Sequence, residues 1–91
     1  LLRDSLPLLV DFWAPWCGYC RRLAPVLEGL AAKRTDLEVV TVNVDDAPSL
    51  AARFGIELIP TLFLFKGGVH GEKLVAPETE AKIEDWIAAQ G

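Results

Sequence analysis

Leu8-Leu9-Val10-Asp11-Phe12-Trp13-Ala14-Pro15-Trp16-Cys17-Gly18-Tyr19-Cys20-Arg21 is the stretch whose reading decides the fold. An apolar run of strand type ends at Trp13, and from Gly18 the pattern turns helical. The chain's only two cysteines fall at this junction, three residues apart. That spacing argues for a joint role. The continuous apolar run, broken only by Asp11, predicts a central strand over Leu8–Trp13 that is buried on both faces. Cys17 then sits at a helix N-terminus, with Cys20 one turn along the same face.

A thiol at a helix N-terminus differs from a free cysteine. Unpaired backbone N–H groups and the positive end of the helix dipole favour thiolate. In Cys-X-X-Cys settings the thiol pKa falls from about 8.5 to between about 3.5 and 7.5, low enough for a nucleophile near neutral pH. Cys20 is then placed to attack a mixed disulfide formed on Cys17. The same spacing is also half of a zinc ligand set. Structural zinc needs four ligands, and the only other soft donor is His70 in a glycine-rich turn, so the redox reading is preferred and no metal is expected.

Working outward, Gly18 to about Arg34 reads as the main helix, with Leu23, Val26, Leu27, Leu30 and Ala31 recurring at three- and four-residue steps and Pro25 placed to bend it. Leu37–Val44 is a β-branched second strand. The strand–helix–strand run predicts parallel pairing through a right-handed crossover. Pro48–Phe54 reads as a short helix ended by Gly55, and Thr61–Phe65 as a third strand. Gly67-Gly68 signals a hairpin returning as a strand over Glu72–Val75, and Pro77 opens a last helix to about Gln90. Leu1–Pro7 reads as a tail, the last turn of a helix ended by Pro7.

With 91 residues the chain is expected to form a single domain, and 52% apolar with 24% charged residues is a globular composition. No apolar run approaches the roughly 20 residues of a membrane span, so no membrane partner is expected. A net charge of -4 argues against sequence-independent nucleic-acid binding. Two cysteines are too few for a disulfide-stapled scaffold, which leaves the pair as reactive. Residues 1–7 lack the apolar core of a signal peptide, and the expected localisation is cytoplasmic.

Trp16-Cys17-Gly18-Tyr19-Cys20, the preceding Val10-Asp11-Phe12-Trp13-Ala14 and the distant Ile59-Pro60-Thr61 together resemble the thioredoxin family, from about Leu8 to the C-terminus. The resemblance implies an α/β thioredoxin fold: a central mixed sheet of about four strands flanked by helices, in the order second, first, third, fourth. The family's first strand and most of its first helix are missing, which would leave Leu37–Val44 at a sheet edge. It also implies a protein-disulfide oxidoreductase with Cys17 as exposed nucleophile, Cys20 as buried resolving thiol and Asp11 as a buried proton acceptor of raised pKa. Pro60 would be a cis-proline whose neighbour Ile59 pairs with substrate. Trp16, Gly18, Tyr19 and Val75 would complete the substrate surface, and Trp13 would pack beneath.

No cofactor is implied beyond a redox-active Cys17–Cys20 disulfide, recharged by a thioredoxin-reductase-like flavoprotein. The partners are protein disulfides and that reductase, and the protein would act as a monomer. Three positions depart from the family pattern. Tyr19 stands where proline is commonest, as in some glutaredoxin-like and periplasmic isomerase proteins. Thr41 replaces a common lysine near Asp11. The glycine expected near the end of the last strand appears as Val75 or Ala76. The alternatives are a disulfide oxidase or isomerase, which Tyr19 favours, and a non-catalytic binding module using Trp16, Ile59 and Val75.

Overall fold

The computed structural model describes residues 6–90, so the expectation for Leu1–Pro7 falls largely outside the described residues. The elements are β1 (Leu8–Trp13), α1 (Gly18–Lys33), β2 (Glu38–Asn43), α2 (Pro48–Arg53), β3 (Thr61–Lys66), β4 (Val69–His70), β5 (Leu74–Val75) and α3 (Glu80–Ala89). The sheet runs β2-β1-β3-β4, with β5 also on β3. β1 is central, parallel to β2 and antiparallel to β3. This is the order and the pairing expected from the resemblance. Among the described residues β2 pairs only with β1, and its mid-strand Val40 is exposed.

Strand alternation explains both cores. Leu9 points to one face of β1 and joins Leu23, Leu27 and Leu30 of α1, Leu62 and Leu64 of β3, and Ile83 and Ile87 of α3. Val10 and Phe12 point to the other face and pack with Phe63, under Leu50 and Phe54. Asp11, two residues from Leu9, therefore faces α1. Helix α1 continues through Pro25 and presents Cys20, Leu23, Leu27 and Leu30 as its buried stripe. Lys33 pairs with Glu80, and Arg34 with Glu84, across to α3.

Leu30 is fully buried between α1 and the sheet. Leu30→Ala is expected to lower unfolding stability by about 2–5 kcal/mol in urea titration, through lost burial and the cavity left behind.

Two boundaries differ from the sequence reading. The returning strand is split. Phe65↔His70 and Thr61↔Val75 are one residue out of common register, so Gly71–Lys73 carry one extra residue opposite β3, a bulge. The last helix begins at Glu80 rather than Pro77, because the Thr79 hydroxyl accepts from the Lys82 N–H and caps it there. His70 is also not a simple turn residue. It lies in β4 with its ring 4.9 Å from that of Phe63, against Phe54 and Phe65.

Candidate active site

β1 and α1 meet at Ala14–Cys17, where a tight turn is closed by the Cys17 N–H donating to the Ala14 carbonyl at 3.1 Å. Cys17 is the N-cap residue of α1, and its sulfur accepts from the Cys20 N–H at 3.1 Å. One of the helix's unpaired N–H groups is therefore spent on this sulfur. Cys17 and Cys20 are joined as a disulfide with Cα atoms 5.2 Å apart, inside the span such bonds require. Ala14, Cys17 and Cys20 form a small buried cluster against Trp13, Tyr19, Val44 and Ile59.

Cys17 is less open than expected. Only 8% of its surface is exposed, against 3% for Cys20, because in the oxidised pair it turns toward Cys20 beneath Ile59. Its sulfur lies 3.9 Å from the Ile59 carbonyl oxygen. The Ile59–Pro60 peptide is cis, and Pro60 is buried. The Thr61 hydroxyl donates back to the Leu58 carbonyl, which folds Leu58 and Ile59 over the sulfur.

Asp11 sits behind the disulfide, almost wholly buried. Among the described residues its Oδ1 has no hydrogen-bond partner. Burial pushes the Asp11 carboxyl up to about 7, since a charge loses hydration there without gaining a cation. Thr41, the residue across from Asp11 in the β1–β2 register, supplies none. Asp11 and Cys20 line one cavity of about 400 Å³ with Trp13, Leu27, Val39 and Thr41. Thr41 is exposed, so the cavity opens to solvent beside β2 and away from Cys17.

The expected surface residues gather on the opposite side of the sulfurs. Trp16 is 67% exposed, with its indole N–H donating to Asp45 at 3.0 Å. Leu58, Ile59 and Val75 lie with it around Pro60, and Leu58 is as open as Trp16. Val75 pairs with Thr61, and the next residue, Ala76, donates its N–H to the Pro60 carbonyl at 2.8 Å. Tyr19 donates its hydroxyl to the Ala76 carbonyl at 2.9 Å. The structure thus brings every sequence-predicted residue to one end of the sheet. Sequence reasoning missed Asp45, Leu58 and Ala76. An apolar leucine just ahead of Ile-Pro and an Asp-Asp turn were available signals for the first two, and for Ala76 the signal was its place at or next to the glycine expected near the end of the last strand.

A family model described as Thioredoxin matches residues 1–89. The chain is 50% identical over 88 residues to "Thioredoxin 1" of Synechococcus elongatus, covering 96% of this chain and 82% of that one. It is 45% identical over 88 residues to "Thioredoxin M-type, chloroplastic" of Chlamydomonas reinhardtii, covering 96% of this chain and 63% of the relative. The solved structure of Fasciola hepatica thioredoxin superposes with a TM-score of 0.88 at 31% identity, covering 99% of this chain and 86% of that one.

Proposed function

We infer the division of labour at this site from one premise: the chain belongs to the thioredoxin family and is a thiol-disulfide oxidoreductase. The reading drawn from it is reduction of protein disulfides. Cys17 thiolate attacks one sulfur of the substrate disulfide, forming a mixed disulfide and expelling the other sulfur as a thiolate that takes a proton. Cys20 loses its proton to Asp11 through the shared cavity and attacks the Cys17 sulfur. The Cys17–Cys20 disulfide forms and the substrate leaves as a dithiol, two electrons richer. An external dithiol donor of the flavoprotein-reductase class then restores the pair. The observation that carries this reading is that Cys20 and the carboxyl of Asp11 share one cavity, while Cys17 faces the Ile59 side.

Trp16, Gly18, Tyr19, Ile59, Pro60 and Val75 form the substrate surface in this reading. An extended substrate segment lies against the Ile59 backbone, with Trp16 and Val75 as apolar flanks. The residues of this site, from Asp11 to Val75, all come from one chain, taken as one domain, which supports a monomer. No helix among the described residues is long and apolar enough to cross a membrane. A dithiol reductase works only where its thiols are kept reduced, which supports the cytoplasm as its compartment. The net charge of -4 makes nucleic acid an unfavourable partner.

Equilibration with a glutathione series, followed by the fluorescence of Trp13 and Trp16, tests the redox reading. Tyr19 keeps a backbone N–H that proline would remove from the first turn of α1, which stabilises the Cys17 thiolate and with it the reduced form. The expected potential is therefore less negative than about -270 mV. A value at or below that figure removes this role for Tyr19, and fluorescence that ignores the glutathione ratio removes the redox reading itself.

A further inference from the structure

We propose that Tyr19 is a positioning residue that fixes the substrate groove by strapping helix α1 to the peptide that holds Pro60. Ala76 is the middle of the strap. Its carbonyl accepts from the Tyr19 hydroxyl at 2.9 Å, and its N–H donates to the Pro60 carbonyl at 2.8 Å. One residue thus links the segment between the two cysteines to the segment that faces the Cys17 sulfur.

The backbone of Ala76 explains why a strap is needed. Its φ is +49°, and it is the only non-glycine residue described at positive φ. A residue with a Cβ is uncommon there and stays only when its surroundings over-determine the conformation. Here both polar groups of Ala76 are engaged, the N–H by backbone and the carbonyl by a side chain distant in sequence. Buried Pro77 follows directly, so the chain cannot relax freely on that side. The phenol ring is itself held. It packs on the cysteine cluster, and the Arg22 guanidinium lies 5.3 Å from its centroid. Val75, the residue before this turn, is held on β3 by its pairing with Thr61 and is exposed beside the strap. Tyr19 and Ala76, two separate oddities in the sequence, are therefore one device.

The strap rests on the reading that substrate lies between Trp16, Ile59 and Val75. Its effect belongs to substrates that fill this groove. A small aromatic disulfide such as 5,5′-dithiobis(2-nitrobenzoate) reaches Cys17 without doing so. Steady-state kinetics of Tyr19→Phe against insulin and against this small disulfide separates the possibilities. The expected result is a roughly two- to tenfold rise in KM for insulin, the scale of one lost hydrogen bond, and a distinctly smaller change for the small disulfide. Adding Ala76→Gly to Tyr19→Phe is expected to recover part of the loss, because glycine adopts positive φ without a strap.

Equal changes for both disulfides overturn the proposal, since an effect on the Cys17 thiolate acts on any substrate. An insulin KM within twofold of the parent protein, or a double variant no better than Tyr19→Phe, also overturns it. A parent protein whose rate advantage over free dithiothreitol is no greater for insulin than for the small disulfide removes the groove reading, and the strap with it.

Discussion

Cys20→Ser is expected to turn the protein from a turnover catalyst into a trap. Cys17 can still attack a substrate disulfide, because its sulfur is at the helix N-cap and does not depend on Cys20 for that position. The mixed disulfide then has no internal attacker, since Cys20 and Cys17 are the only cysteines in the chain. Turnover of protein disulfides should fall by on the order of 10³-fold or more, the scale seen when one member of a nucleophilic unit is removed. A stable adduct of protein plus substrate should appear in non-reducing mass spectrometry and vanish with excess dithiol. Serine is close to cysteine in size, and the hydrogen bond to the Cys17 sulfur comes from the backbone N–H of residue 20, which the substitution keeps. A Cys20→Ser protein that still turns over, or that forms no adduct with a disulfide substrate, removes the resolving role of Cys20. The absence of any adduct would also return weight to the non-catalytic binding module.

That much was legible in the sequence because it is local. The apolar run and the helical period change at Cys17, and β1 runs over Leu8–Trp13 as read. The parallel β1–β2 pairing follows from the crossover rule, whereas the place of β3 beside β1 is what the resemblance implies. Features fixed by long-range register were not legible. The bulge at Gly71–Lys73 is set by how β4 and β5 each meet β3, and nothing in Gly-Glu-Lys announces one extra residue. The start of α3 differs from the expectation because Pro77 is a strong local signal, whereas the cap comes from the Thr79 hydroxyl two residues on. The site divides in the same way. Cys17, Cys20 and Asp11 lie within one strand–helix unit and were found together, with Pro60 supplied by the resemblance. The Tyr19–Ala76 link spans the chain and needed coordinates.

Asp11→Asn is expected to make the protein more stable and less active, and both effects should grow above neutral pH. In the fold the carboxyl is pushed up by burial to about 7, against 3.8 for the ordinary group. Between those two values the folded state holds a proton that the unfolded state has lost. Stability from this group is therefore fully present below about pH 3.8 and is lost as pH rises through about 7. The difference of about 3 units corresponds to about 4 kcal/mol at most, as an order of magnitude. Asparagine has no charge to bury, so at pH 8.5 Asp11→Asn should unfold at higher denaturant than the parent, while at pH 4 the two should differ little. Activity should move the other way. With the buried Asp11 carboxylate gone, Cys20 gives up its proton to water or to the exposed Glu28 that also lines the cavity, and resolution of the mixed disulfide at pH 7 should slow by on the order of 10²-fold. The parent's resolution rate should climb through about pH 7 as Asp11 ionises, and the variant should lose that step. Stopped-flow tryptophan fluorescence reads this rate directly, since Trp13 lines the cavity and Trp16 adjoins Cys17. An unchanged rate at pH 7 ends the proton-acceptor role. Lower stability of the variant at pH 8.5 means instead that Asp11 is held as a charge by a partner, contrary to its burial.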